Sequence, residues 1–409
     1  MRCPRLPIAS LLCAALAAAA SGCGEEDASP TGPGSAPAAT VAAPTALVFA
    51  QISASRDHSC GTTTDGRAWC WGSNELGQLG VPLSQSAECS PTRPCSTRPV
   101  AVGGALRFRH VVAGWEFTCG VTTGDRVFCW GANDAGQLGS GSTAAFNPTP
   151  VSVAGNRRYR QVRVGFRAAC AITMARAAFC WGANNAGQLG NGTTTPSRIP
   201  VRIPLDVSWV QLTMGQSYGC GIITVQRQVW CWGSNGNGQF GNGSVGGSQL
   251  LPVPGGGGLG FAQIEAGFNH TCGVLPDGRA FCWGEGFGVG DGSPQGNHPT
   301  PTPVAGKRNW ARITAGTLFS CGVTATARGF CWGSGAAGAL GNGTNLNQFK
   351  PVAVAGSLSF VAISGGSGHA CGVATNGQGW CWGDNLRGQL GDGSLVTKMA
   401  PAPVLGPAS

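Results

Sequence analysis

The sequence predicts an all-β protein, a closed ring of seven β-blades, on three observations. Seven times along the chain a cysteine is followed ten or eleven positions later by Cys-Trp-Gly: Cys60/Cys70, Cys119/Cys129, Cys170/Cys180, Cys220/Cys231, Cys272/Cys282, Cys321/Cys331 and Cys371/Cys381. A unit of about 50 residues repeated in this way cannot bury its own apolar face and must stack on neighbours. Each unit is made of short β-branched and aromatic runs cut by glycine turns, with no helical period. The first and last units carry the full motif, whereas a linear solenoid needs polar caps at its ends.

The chain opens with Arg2 and Arg5 and an apolar run from Leu6 to Ala20, so residues 1–22 are expected to be a secretory signal. Ala20-Ser21-Gly22 before Cys23 resembles a bacterial lipoprotein signal and makes Cys23 the expected lipidation site. The alternative is an ordinary signal cleaved near Ala20, which would leave Cys23 free. Residues 23–45 are small, polar and proline-rich, the composition of a disordered tether. No later segment has the ~20 consecutive apolar residues that span a bilayer. The blades are expected at about 46–102, 103–153, 154–204, 205–254, 255–304, 305–354 and 355–405.

Within the first unit, pairing Cys60 with Cys70 leaves Thr64-Asp65-Gly66 as a three-residue hairpin loop, with Gly66 free to take positive φ. The two cysteines then oppose each other on adjacent strands, about 4.5 to 5.5 Å apart at Cα, within reach of a disulfide. The same holds in each unit. An aromatic precedes every second cysteine (Trp69, Phe128, Phe179, Trp230, Phe281, Phe330, Trp380) and a tryptophan follows it. Alternation puts both aromatics on one face of the sheet and the cystine on the other, so both faces must be covered. Of the 19 cysteines, Cys3, Cys13 and Cys23 lie in the leader region; the hairpin pairs and Cys89/Cys95 account for the rest. An even set in an exported chain implies an oxidising compartment.

Gly-x-x-His-x-x-Gly and Trp-Gly-x-Asn-x-x-Gly-Gln-Leu-Gly, repeated in register over residues 46 to 405, resemble the repeats of the RCC1 family. The resemblance implies a seven-bladed RCC1-like β-propeller whose terminal pieces, Ala46-Leu47-Val48-Phe49 and Ala400-Pro401-Ala402-Pro403-Val404, complete a shared blade. Two units depart from the pattern: Gly284 to Gly290 lacks the Asn and Gln-Leu-Gly, and Gly335 and Ala339 replace Asn and Gln in the next. The intra-blade cystine is an addition to the usual repeat.

Catalytic chemistry has little to build on. Charged residues make up 11% of the chain, there are five histidines, and no nucleophile elbow, His-Glu-x-x-His or Cys-x-x-Cys occurs. His58, His270 and His369 share one slot of the repeat and read as packing residues. Gly255 to Gly260 matches a dinucleotide fingerprint but lies between two strands with no helix after it. No cofactor and no metal are expected. The net charge of +9 is concentrated between Arg107 and Arg202, eleven arginines against Glu116, Asp125 and Asp134. Arg158, Arg160 and Tyr159 are expected to form a rim patch, read as solvated surface rather than as a nucleic-acid site.

Comparing the units separates scaffold from surface. The two residues after the recurring glycine of the first strand vary freely: Arg56-Asp57, Trp115-Glu116, Phe166-Arg167, Gln216-Ser217, Phe268-Asn269, Thr317-Leu318 and Ser367-Gly368. They fall at equivalent points of seven blades, hence in a ring on one face. Arg56, Asp57, Trp115, Glu116, Phe166, Arg167, Phe268, Asn269 and Leu318 are therefore the candidate partner-binding residues, with the aromatic-plus-charge character of hot spots. The alternative is that the aromatics fill gaps between blades. The expectation is a monomeric, non-enzymatic ring in the cell envelope, anchored through Cys23 and binding an extracytoplasmic protein, as a secreted β-lactamase inhibitor similar to the family does. Two other readings are nucleotide exchange on a small GTPase, implied by the eukaryotic namesake, and polysaccharide binding or cleavage, which the missing paired acids disfavour.

Overall fold

The computed structural model describes residues 46–85, 89, 93–294 and 296–407; the expected signal, Cys23 and the tether to residue 45 lie outside the described residues. The fold is a seven-bladed all-β propeller, seven four-stranded antiparallel sheets with their strands in chain order. In blade 1 these are β1 (Phe49–Ala54), β2 (His58–Thr63), β3 (Ala68–Ser73) and β4 (Cys95–Ala101). The first strand of each blade touches the first strands of both neighbours, all the way round, so these strands surround the axis. Among the described residues helix is limited to single 3₁₀ turns.

The hairpin register is as the cysteine spacing requires. Cys60 faces Cys70, Cys119 faces Cys129, Cys170 faces Cys180 and Cys220 faces Cys231. The last three blades repeat the rung, with Cys272 opposite Cys282, Cys321 opposite Cys331 and Cys371 opposite Cys381. All seven pairs are disulfide-linked with Cα atoms 4.0 to 4.1 Å apart, closer than the spacing expected of an unlinked pair because the bond draws the strands together. Cys89 and Cys95 are also paired, across the loop that leads into β4.

The tryptophan of Cys-Trp-Gly explains how blades join. Each indole is fully buried and donates to a main-chain carbonyl of the preceding blade: Trp71 to Gln389, Trp130 to Gln78, Trp181 to Gln137, Trp232 to Gln188 and Trp283 to Gln239, at 2.8 to 3.0 Å. Trp332 and Trp382 bond in the same way to Gly288 and Ala339, in the two units that depart from the motif. Since the acceptor is backbone, its side chain is free to change. On the other side the indole packs on the preceding blade's cystine and the leucine-slot residue: Trp130 lies with Cys60, Cys70 and Leu79.

The shared blade does not form. β1 is the inner strand of blade 1, and Lys398–Pro403 pairs with Gly379–Gly383 as the outer strand of blade 7. All four strands of every blade are contiguous in sequence, so the ring closes by packing instead. Phe49, Ile52 and Trp71 cover Cys371, Cys381, Leu390 and Val404, and the Phe49 amide donates to Gly377 at 2.8 Å. Each unit has the same pattern wherever it is cut, so the sequence repeat alone does not set where a blade begins.

Candidate functional site

Each inner strand ends at the axis, and a small residue, Ser55 in blade 1 and glycine in the other six, followed by a two-residue turn leads to the next strand. The glycine before that turn is required by space: a Cβ on Gly215 would meet the carbonyl oxygen of Gly267 at 2.7 Å, and one on Gly316 that of Gly366 at 2.6 Å. Main-chain bonds then link turn to turn: Gln216 to Phe268 (3.2 Å), Thr317 to Gly366 (3.0 Å) and Ser367 to Ser55 (2.8 Å). The seven variable pairs therefore do form one ring, around the mouth of the central channel.

Trp115, Phe166 and Phe268, from blades 2, 3 and 5, converge across that mouth. Ring centroids are 4.4 Å apart for Trp115 and Phe166, 5.9 Å for Trp115 and Phe268, and 6.4 Å for Phe166 and Phe268. They fill no gap between sheets; half-buried, they pack on one another over a collar of small residues. Arg56 lies over the Trp115 ring at 4.8 Å and pairs with Asp57 (3.1 Å) and Glu116 (3.0 Å). Burial raises the Asp57 pKa, with Arg56 opposing. Arg167 pairs with Asp134, and Asn269 donates to Glu285 at 3.3 Å. Leu318 is 36% exposed and stands apart from the aromatic group. The sequence reading missed Asp134, Glu285, Glu75 and Arg387, which come from the Trp-Gly-x-Asn loops and pair with the turns or with each other. Their variation within that motif is the signal that could have found them. The hairpin cysteines take no part in the site. Cys129, Cys180, Cys231 and Cys282, like their partners Cys119, Cys170, Cys220 and Cys272, are fully buried between blades and act as staples.

Beneath the turns lies a channel of about 500 Å³ lined by the inner strands. Side chains there act as rungs between blades that share no sheet bonds. Gln51 exchanges two bonds with Val111, and Gln263 exchanges two with Ile313. Nearer the turns, Ser53, Thr213, Thr314 and Ser364 each accept from an amide of an adjacent blade. Arg163, Glu265, Arg312 and His110 occupy rung positions without serving as such rungs. Arg163 stands 3.9 Å from Glu265, whose pKa is raised by burial against the pull of Arg163. His110 is held neutral, its pKa lowered to about 3 by burial and by Arg163 and Arg109. The expected rim patch does not form: Tyr159 is buried core, Arg160 lines the channel, and only Arg158 stands on the outer surface, 3.9 Å from Asp125.

The three recurrent histidines are buried junction residues. His270 Nε2 lies 2.9 Å from Ser320 Oγ, which itself donates to the Gly288 carbonyl. With the hydroxyl proton so used, Nε2 must be the donor. His58 with Thr118 and His369 with Ser59 repeat the arrangement. Burial lowers the pKa of His58 and His369 to about 3 and that of His270 to about 4. In the Gly255–Gly260 stretch, Gly255 ends a strand and Gly256–Gly258 form a single 3₁₀ turn before the next.

The geometry defines a class: a disulfide-stapled propeller whose variable residues are gathered on one face. The chain belongs to the Regulator of chromosome condensation (RCC1) repeat family, whose two models match residues 49–78, 108–137, 261–287 and 360–389, and 65–121, 125–172, 177–222 and 328–373. The ultraviolet-B receptor UVR8 of Arabidopsis thaliana is 28% identical over 244 residues, covering 58% of this chain and 53% of the receptor. The chain thus spans about half the length of that relative. Human WBSCR16 superposes with a TM-score of 0.71 at 18% identity, over 80% of this chain and 86% of that one. Prp20p of Saccharomyces cerevisiae, described with its binding to Gsp1p and histones, gives 0.67 at 19% identity over 78% and 80%.

Proposed function

We propose that this protein is a non-enzymatic binding scaffold of the cell envelope, exported, held by lipid on Cys23, and offering its turn face to a protein partner. The observation that carries the reading is the division within each blade. Residues that pack or bond across junctions repeat, while the turns between them change from blade to blade and place three half-buried aromatics amid charge pairs. A desolvatable aromatic centre with a polar rim is the make-up of protein hot spots. The described binding of Prp20p to Gsp1p and histones supports a protein as the class of partner. Eight cystines support export, since such bonds persist in oxidising compartments.

The test compares wild type with Trp115→Ala and Phe268→Ala as baits on an envelope fraction. A partner held by wild type should lose about thirtyfold in affinity for the variants, with the melting temperature little changed. Unaltered binding by folded variants removes the turn face from the reading. In parallel, Cys23→Ser should move the protein from the membrane pellet to the soluble fraction; a wild type already soluble refutes the anchor.

A further inference from the structure

The two ends of the ring differ in charge. The hairpin tips between second and third strands and the links that lead into each inner strand lie together, joined in a closed belt by bonds such as Phe108 N to Gly66 O, Tyr159 N to Asp125 O and Phe49 N to Gly377 O. These segments carry eleven Lys and Arg residues against Asp65, Asp125, Asp206 and Asp277. At the opposite end, the seven turns and the Trp-Gly-x-Asn loops up to their next glycine carry three arginines against six carboxylates. Arg176, Arg227, Lys307 and Arg328, all on the hairpin face, have no ion-pair partner among the described residues. Between them, exposed apolar side chains stand at the tips: Met174 is 53% exposed and Val225 61%. The chain also joins the ring at this end, since residues 46–48 lead directly into β1 beside the Gly377 tip.

We propose that the hairpin face docks on an anionic lipid surface, leaving the turn face directed away from the membrane. A field of unpaired cations attracts acidic headgroups, and each contributes while it stays within a Debye length. Apolar tips among the cations add contact with the headgroup boundary, which favours lipid over nucleic acid, whose phosphates offer them nothing. Residues 46–48 enter β1 at the charged end, so the proposed lipid on Cys23 and the basic face would act on the same membrane. The inference deepens the proposed function and rests on its assignment of the ring to a membrane.

The test uses the chain from Gly24 onward, which retains every strand and all eight cystines and cannot carry the lipid. Co-sedimentation with phosphatidylcholine vesicles containing phosphatidylglycerol should show binding at low salt that weakens about tenfold or more at high salt, with none to phosphatidylcholine alone. Combined Arg176→Glu, Arg227→Glu and Lys307→Glu should lower the affinity at least about tenfold, while Lys350→Glu on an outer strand leaves it unchanged. No binding, equal binding to neutral vesicles, indifference to the triple change, or binding of duplex DNA without binding of anionic vesicles overturns the proposal. Cys23→Ser fractionation reads the anchor separately: release by that change with failed vesicle binding leaves the anchor standing and removes the docking face.

Discussion

The turn face and the hairpin face are ends of the same seven sheets, yet they hold charge differently. On the turn face it is paired locally: Arg56 with Asp57 and Glu116, Arg167 with Asp134, Arg387 with Glu75. The aromatics there meet at one point on the axis. On the hairpin face the cations are spread around the rim and several stand unpaired, with apolar side chains isolated at separate tips. One end is suited to recognising a particular shape, the other to a charged surface of no fixed shape. A repeat protein can do both because its main-chain bonds and buried indoles hold the blades whatever the tips carry.

The largest expected effect breaks both faces together, because they hang from the same staples. Each hairpin disulfide closes a loop of 10 or 11 residues, worth about 2.5 to 3 kcal/mol by loop entropy. Reduction of all seven should abolish cooperative thermal unfolding at moderate temperature. Single removal, as Cys321→Ser with Cys331→Ser, should cost about 2 to 3 kcal/mol in denaturant titration. A reduced protein that melts like the oxidised one would mean that packing alone holds the ring.

Acid should weaken the junctions next. His58, His110 and His369 are held at about 3 and His270 at about 4, whereas an unfolded histidine titrates near 6.5. The unfolded chain therefore takes up protons first as pH falls. Their contribution is full above about pH 6.5 and is lost progressively down to the folded values, at most about 1.4 kcal/mol per histidine per pH unit. Asp57 and Glu265, raised by burial, give stability back as pH falls, but are only two groups against four. Melting temperature should drop steadily between pH 7 and pH 4; a flat profile would show these histidines charged or exposed.

The fold was legible because its strongest signals are local and repeated. A cysteine followed ten or eleven positions later by Cys-Trp-Gly states a hairpin, its register and both its faces at once, and seven copies state a ring. The variable turns were legible as a set for the same reason. What a periodic sequence hides is radial position and direction. Arg160 and Tyr159 are neighbours on one strand, but whether that strand faces the axis or the rim is not in its alternation, and it proved to be the inner one. Trp115, Phe166 and Phe268 are 51 and 102 residues apart and meet only because a closed ring brings their turns to one axis. The charge asymmetry likewise appears only when strand direction assigns each arginine to an end.

The smallest expected effect sharpens the contrast between the faces. Arg167 and Asp134 are 43% and 53% exposed, and an ion pair that open to solvent contributes at most about 1 kcal/mol to stability. Arg167→Ala should therefore leave the melting temperature within about 2 °C of wild type. If the turn face recognises its partner by shape, with charges already paired, the same change should alter affinity modestly and without a strong salt dependence. On the hairpin face, Arg227→Ala should be equally silent in melting, because the side chain is exposed and unpaired, yet should weaken attachment to anionic vesicles in a way that disappears at high salt. Measuring both variants in both assays gives four affinities. A salt-sensitive loss for Arg167→Ala at the partner, or an unchanged vesicle affinity for Arg227→Ala, would mean that the two ends do not divide shape from charge as their geometry indicates.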